Sequence, residues 1–384
     1  MKKISVKLKE SARAYDVSIE NDSLKNCGDW AQKGFPLQTK KIVLISNKKV
    51  FGLYGKTVAA SLEKRGFEVS AWLMPDGEKY KNFRVLEKAI RFVGEKKLKR
   101  SDGIIALGGG VVGDLAGFAA AIYLRGVAFL QIPTTFLAMI DSSVGGKTGV
   151  NTDFGKNLIG AFHQPNGVLI DVHTLKTLPR RELVAGFCEA VKHGAIASRE
   201  LFDRTADFLE NYQLNRFKNY YSDKNFIALL ENLLAAQIAF KAEIVMQDER
   251  EDADRTDAKS RKILNFGHTV GHALEKATGY KVFKHGEAVG YGILVAAEIG
   301  KNAGIFNKDE LNLLNDVLLR VGKLPDTSNI NLERVFEAFS FDKKTIGKSL
   351  QWILLEEIGK PKIFPAEDLP KSVVKNALKR ILQK

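Results

Sequence analysis

The chain has 384 residues, 45% of them hydrophobic and 27% charged, with a formal net charge of +14. This balance is that of an ordinary globular protein and excludes a disordered or fibrous chain. Two cysteines, Cys27 and Cys188, are too few and too far apart for a disulfide framework or a thiolate metal site, so the reducing cytoplasm is the expected location. The basic residues are scattered (Lys40–Lys41, Lys48–Lys49, Lys96–Arg100, Lys375–Arg380) and show no repeated basic–aromatic spacing. They read as solvated faces, with no nucleic-acid surface.

The first 17 residues alternate apolar and polar like a strand and lack the apolar core of a secretory signal. Further on, the apolar runs at 41–46, 67–74, 103–109, 127–133 and 167–172 read as strands, and helical patterns such as Val50–Lys64 and Asn82–Glu95 separate them. Strands spaced by helix-length segments imply parallel βαβ units. Gly103 to Leu124 is long and apolar enough to suggest a membrane span, but Asp114 near its centre would cost on the order of 3 kcal/mol in lipid. A strand, a tight turn and a buried helix fit it better, and no membrane contact is expected.

After Leu178-Pro179 the texture changes. Glu182–Ala197, Phe226–Val245, Lys262–Ala277, Glu287–Ala303 and Asp309–Val321 carry apolar residues at helical spacing, without further regular strand patterns. The expected architecture is an α/β domain over residues 1–177, Rossmann-like with a mostly parallel sheet, followed by an all-α domain over 178–384. The polar stretch 248–260 is expected to be an exposed loop.

Three constellations carry chemistry. The run Gly108-Gly109-Gly110-Val111-Val112-Gly113-Asp114 satisfies G-x-G-x-x-G between a strand and a helix, where glycines let a pyrophosphate approach backbone N–H groups. The acid expected about 20 residues later is missing, since residues 115–140 contain neither Asp nor Glu. The polar turn Asp76-Gly77-Glu78-Lys79-Tyr80-Lys81 is the alternative source of ribose contacts; a plain packing turn is the competing reading. The second constellation, between Pro133 and Gly160, gathers Thr134, Thr135, Asp141, Ser142, Ser143, Lys147, Lys156 and Asn157 with Gly145 and Gly146. Small residues expose backbone donors and lysines neutralise anionic oxygens, which suits phosphate. The third is His268, His272 and His285, three of the six histidines. The i,i+4 spacing of His268 and His272 puts both rings on one helical face, and spacing alone pairs them as zinc ligands, with a carboxylate such as Glu189 available as a third.

Taken in order, these strings resemble the 3-dehydroquinate synthase family. The resemblance is carried by DGEKYK (76–81), GGGVVGDLAGF (108–118), IPTTFLAMIDSSVGGKTGVN (132–151), GKNLIGAFHQP (155–165), LKTLPRREL (175–183), EAVKHG (189–194), NFGHTVGHALE (265–275), HGEAVGYG (285–292) and FDKK (341–344). It implies a lyase that uses NAD and Zn²⁺ or Co²⁺ to turn a phosphorylated sugar acid into a carbocycle with loss of phosphate. By the same resemblance the metal ligands would be Glu189, His268 and His285, which displaces the His268–His272 pairing and leaves His272 to face the substrate and move a hydroxyl proton. Asp141, Lys192, Lys241, Arg261 and Asn265 would hold the hydroxyls and carboxylate, while Lys147, Asn157 and Lys343 or Lys344 would hold the phosphate. Arg125 would reach into the neighbouring site of a homodimer. NAD would contact residues 76–81 and 110–114, Thr134, Thr135, Lys147, Lys156, and Thr174, Leu175, Lys176 and Thr177. Between Glu251 and Arg261 the chain is several residues longer than the family's short glycine turn. Related cyclases making 2-deoxy-scyllo-inosose or 2-epi-5-epi-valiolone, and metal-dependent alcohol or glycerol-phosphate dehydrogenases, are the alternatives.

Overall fold

The computed structural model describes residues 14–346 and 351–383, with only the backbone of 340–346. The expected strand within residues 1–17 therefore falls largely outside the described residues. What is described there is β1 (Val17–Glu20). The five apolar runs form β2 (Lys41–Asn47), β3 (Glu68–Met74), β4 (Gly103–Gly108), β5 (Ala128–Pro133) and β8 (Gly167–Asp171). With β1 they make one six-stranded sheet in the order β1-β8-β5-β4-β2-β3, every pairing parallel.

Continuous apolar runs are needed because helices cover both faces. Ile42 and Leu44 pack with the helices Cys27–Gly34 and Lys56–Lys64 on one side. Val43 and Ile45 pack with Phe83–Glu95 and Gly110–Ile122 on the other. The period of two sends neighbouring residues to opposite layers. The chain runs outward from β2 to β3, then returns to place β4 on the other side of β2. The C-terminal ends of β2 and β4 thus flank a topological switch point, where this kind of sheet binds ligands.

The later part of the expected phosphate surface, which spans Pro133 to Gly160, forms an antiparallel hairpin of β6 (Lys147–Thr152) and β7 (Gly155–Phe162). It lies against the Gly110–Ile122 helix, where a Cβ on Gly117 would stand 2.5 Å from Thr148 Cγ2.

From Arg180 onward the chain is mainly helical: Arg180–Ala197, Arg199–Asn211, Lys224–Gln247, His268–Ala277, His285–Asn302, Lys308–Val321, Leu332–Ile346 and Lys371–Leu382. The expected helix 262–277 is interrupted at Gly267, whose φ of +78° caps the helix start at His268. A feature absent from the sequence reading is the antiparallel hairpin of β9 (Gln351–Glu357) and β10 (Lys360–Pro365), which turns at Gly359 with φ +90°. The stretch 248–260 is largely exposed, as expected. No described helix is long and apolar enough to cross a membrane.

The Arg180–Ala197 helix is buried at every position from Leu183 to Ile196, including Glu189, Lys192 and His193. Its neighbour His285–Asn302 packs onto it nearly backbone to backbone. A Cβ on Gly286 would lie 1.9 Å from Ala185 O, and one on Gly292 would lie 1.9 Å from Gly267 O. These glycines let the segments bearing Glu189, His268 and His285 converge. Gly286→Ala is therefore expected to destabilise the protein by about 1–3 kcal/mol through overpacking. A melting temperature equal to that of the unsubstituted protein would contradict this packing argument.

Candidate active site: a nucleotide crevice beside a histidine-lined cleft

The glycine run ends β4 and opens the Gly110–Ile122 helix. None of Gly108, Gly109, Gly110 and Gly113 has a positive φ, so space rather than torsion requires them. A Cβ on Gly109 would meet Thr135 Cγ2 at 2.9 Å, and one on Gly110 would meet Ser142 Oγ at 2.9 Å. The backbone can therefore come close to a ligand at a helix start whose first N–H groups lack intrahelical partners.

A crevice of about 170 Å³ opens at this switch point and is lined by Asp76, Gly77, Val111, Val112, Thr134, Thr135 and Thr177. Asp76 lies just beyond β3 and accepts a hydrogen bond from Asn47 Nδ2 at 3.0 Å. That gives a fixed carboxylate in place of the acid missing from 115–140. Asn47, Tyr54 and Glu182 line the crevice too and were not singled out from sequence. Tyr54 donates to Thr174 O at 3.0 Å and bonds Thr177 Oγ1, fixing the wall.

Other expected nucleotide contacts surround this crevice without lining it or stand further off. Glu78, Lys79, Tyr80, Lys81, Gly110, Gly113, Asp114, Lys147, Lys156, Thr174, Leu175 and Lys176 do not line the crevice. Lys81 is buried and bonds Asp114 and Asn157 Oδ1. Burial raises the Asp114 carboxyl pKa, against the opposing pull of Lys81. Leu175 and the Thr174 hydroxyl are buried, while Lys176 stands over the Tyr221 ring.

The second cavity is a cleft of about 530 Å³. Asp141, Lys147, Asn157, Lys192, Lys241, Arg261, Asn265, His268, His272 and His285 all line it, so the structure gathers most of the expected substrate residues. Lys241 donates to Asp141 Oδ1 and to the Asp141 carbonyl. Burial pushes the Lys241 ammonium down to about 8 against the pull of Asp141. Burial would raise Asp141, but Lys241 and Lys192 hold it well below the usual carboxylate range. Arg261 places its guanidinium on Gly145 O and Glu249 O, so the long loop before it does not remove it from the cleft. Glu251, which sequence reasoning missed, also lines the cleft and bonds both Lys147 and Asn265 Nδ2. His193 lies fully buried behind Asp141 with its Nε2 3.9 Å from Oδ1. Arg125 is exposed, with φ +64°, and does not line this chain's cleft. The side chains of Lys343 and Lys344 lie outside the described residues.

At the inner end of the cleft, Glu189 Oε1 lies 3.7 Å from His268 Nε2 and 3.5 Å from His285 Nε2. Glu189 is fully buried and neither carboxylate oxygen has a hydrogen-bond donor. Lys192 Nζ stands 2.7 Å from Oε2, but out of hydrogen-bond alignment. A buried carboxylate without donors is costly, and a divalent cation would satisfy it. Burial and the charge of Lys192 push His268 well below its ordinary pKa, so its ring is neutral and able to ligate. The ring nitrogens of His268, His272 and His285 lie within 4.8 Å of one another, so the pairing suggested by spacing is also geometrically available. Two features favour the set with Glu189: its orphaned oxygens, and the exposure of His272 toward the cleft.

A switch-point crevice and a separate cleft with an acid and imidazole cluster define the class, the fold of the sugar phosphate cyclases. A 2-deoxy-scyllo-inosose synthase solved with carbaglucose-6-phosphate, NAD⁺ and Co²⁺ superposes with a TM-score of 0.82 at 25% identity, covering 97% of this chain and 98% of that one. The 2-epi-5-epi-valiolone synthase from Streptomyces hygroscopicus subsp. jinggangensis 5008 shares the fold with a TM-score of 0.83, at 24% identity over 99% of both chains. Sequence similarity is higher to another branch. Residues 71–185 match the 3-dehydroquinate synthase N-terminal model and 186–345 its C-terminal model. The 3-dehydroquinate synthases of Nostoc punctiforme and Thermodesulfovibrio yellowstonii are 39% and 41% identical, over 98% and 97% of this chain and 98% and 99% of theirs. The chain belongs to the 3-dehydroquinate synthase family, phosphate-eliminating cyclases classed as lyases.

The Lys241 environment has a measurable consequence. The ammonium is cationic below about pH 8 and neutral above it, and Asp141, Lys192 and Arg261 are the charged groups acting on it. Affinity for an anionic ligand such as inorganic phosphate should fall above pH 8, by up to about tenfold per pH unit. Lys241→Arg should flatten that dependence, because a guanidinium does not titrate in this range. Calorimetric titration between pH 6.5 and 9.5 measures both, and a flat profile for the unsubstituted protein would refute the argument.

Proposed function

We propose that this chain converts 3-deoxy-D-arabino-heptulosonate 7-phosphate to 3-dehydroquinate and phosphate. The route is NAD-dependent transient oxidation, phosphate elimination, re-reduction and intramolecular aldol closure. The observation that carries the reading is the Glu189 carboxylate, buried without donors and facing His268 and His285 at one end of a cleft lined by Lys147, Lys192, Lys241 and Arg261. Residues 1–177 form the NAD-binding unit, and residues 178–384 supply the metal ligands and most of the substrate contacts.

Glu189, His268 and His285 would hold Zn²⁺ or Co²⁺, and the crevice at β2 and β4 would hold NAD. Once bound, the cation supplies Lewis acidity and the nicotinamide supplies a reversible hydride acceptor. The protein's own groups do the rest. Lys241 and Asp141 form a buried, mutually oriented pair that fixes substrate hydroxyls, with Lys192 beside them. Arg261 and Asn265 face the carboxylate from the turn before His268. Lys147 and Asn157, on the β6–β7 hairpin, bind the phosphate. His272 opens to the cleft, yet the surrounding protein still desolvates its ring and, with the charge of His285, lowers its pKa, so the ring is neutral and can accept a hydroxyl proton from the substrate. Gathering several cations in a partly enclosed cleft holds a multiply charged substrate in reactive geometry.

The active form is a cytoplasmic homodimer that needs neither nucleic acid nor membrane. Ile122 and Leu124 beside Arg125 are 43% and 46% exposed, and Phe154 and Leu158 on the hairpin are 84% and 52% exposed. A second copy would cover such surfaces and receive Arg125.

Three results are expected. Purified protein with NAD⁺ and Zn²⁺ or Co²⁺ should release one phosphate per heptulosonate phosphate consumed, with no net NADH. Phosphate release that persists after chelation would reject the metal. His272→Ala should lower turnover by about 10²–10⁴-fold with metal content near stoichiometric; loss of metal would instead restore the His268–His272 pairing. Mixing inactive Arg125→Ala with inactive Lys241→Ala subunits should regenerate activity, since one site per mixed dimer would be complete. Absence of rescue in verified mixed dimers would place Arg125 in its own subunit's site.

A further inference from the structure

Glu275 belongs to none of the residue sets assigned above, yet it touches two of them. It is 2% exposed and lies two turns after His268 on the same helix. Its oxygens are divided between two elements. Oε2 is 3.1 Å from His285 Nδ1, and Oε1 accepts a hydrogen bond from Lys156 Nζ at 2.8 Å.

A carboxylate oxygen accepts in this contact, so His285 Nδ1 is the donor and Nε2 is the ring nitrogen left for a metal. Nε2 is the nitrogen that faces Glu189 Oε1. His268 has its counterpart in a backbone carbonyl, Phe266 O, 3.3 Å from its Nδ1. His285 therefore has the charged anchor of the two. Lys156, on β7, supplies the counter-charge and also stands 4.4 Å from the centroid of the Tyr280 ring.

We propose that Glu275 is a positioning residue that locks the His285 tautomer, aims its Nε2 at the metal and raises its basicity, with Lys156 moderating that charge. The proposal rests on the reading of Glu189, His268 and His285 as metal ligands. A carboxylate behind a ligating imidazole acts in this way, and its loss typically weakens metal binding by 10–100-fold. A plain structural ion pair makes a different forecast. Removing either member of the pair would then have the same effect, whereas a positioning role gives the two substitutions opposite signs. Glu275→Gln deprives His285 of its anionic partner. Lys156→Met removes a cation near the metal and leaves the Glu275 charge undivided.

The test is Co²⁺ affinity of metal-stripped protein, measured by chelator competition through the visible Co²⁺ absorption. Glu275→Gln should bind 10–100-fold more weakly, with a shifted absorption band and a melting temperature of the metal-free protein near that of the unsubstituted chain. Lys156→Met should bind as tightly or more tightly. Affinity of Glu275→Gln within threefold of the unsubstituted protein would overturn the proposal, and so would equal weakening in both variants. Should Glu275→Gln fail to fold, weaker binding by Lys156→Met overturns it and unchanged or tighter binding supports it. His285→Ala separates the two readings: if it keeps Co²⁺, the metal assignment itself falls. If it loses Co²⁺ while Glu275→Gln keeps it, only the role of Glu275 falls.

Discussion

The carboxylate of Glu189 sits in a helix that is buried along fourteen consecutive positions, from Leu183 to Ile196, and neither of its oxygens meets a donor. Removing such a charge from water costs several kcal/mol unless a counter-charge with good geometry is supplied. Lys192, one turn on, is close but misaligned. The backbone around this point has given up side chains so that other groups can approach. Gly286 packs on the Ala185 carbonyl and Gly292 on the Gly267 carbonyl, so two histidines on separate helices reach one acid. A core that only needed stability would place apolar side chains in that space.

Residues of the β6–β7 hairpin connect the cleft to the helix that starts at the crevice. On the hairpin, Lys156 is joined to Glu275 and through it to His285, while the next residue, Asn157, accepts a hydrogen bond from Lys81, which also holds Asp114. Asp114 begins beneath the glycine turn of the crevice and borders the cleft. Two adjacent residues therefore tie the histidine end of the cleft to the helix that starts at the crevice. Lys81 and Lys156 are the cations of this network.

The sheet was readable in the sequence because β2, β4, β5 and β8 are buried on both faces, which writes them as unbroken apolar runs between helical patterns. The glycine turn and the histidines were readable because their chemistry is local. Glu189 carries little local signal: it looks like any acid in a helix until the fold buries it beside Lys192 and turns it toward His268 and His285. The β6–β7 hairpin escaped notice because its glycines, small residues and lysines resemble a loop. Its strands exist only because Gly149 and Gly160 allow the two backbones to touch; a Cβ on Gly160 would stand 1.9 Å from Thr148 O. The β9–β10 hairpin was hidden by the helical texture around it. Glu275 was visible as a letter, the last of NFGHTVGHALE, but its partners lie on β7 and on another helix. Contacts between distant segments are what sequence spacing does not encode.

The net charge of +14 says little about function by itself, since most of the basic residues are solvated. The cleft differs because its cations are balanced by the protein's own acids. Lys241 is paired with Asp141, and Lys147 with Glu251. Without such partners, buried ammonium groups would lose their protons, as the depression of Lys241 to about 8 already indicates. With them, an entering anion exchanges one set of charge-assisted bonds for another instead of meeting bare cations. A monoanion gains little from that exchange, because Glu251 and Asp141 already provide comparable contacts. A ligand carrying both a phosphate and a carboxylate engages several cations at once and gains at each. Selectivity for a multiply charged sugar thus follows from self-neutralisation of the empty cleft as much as from its positive residues.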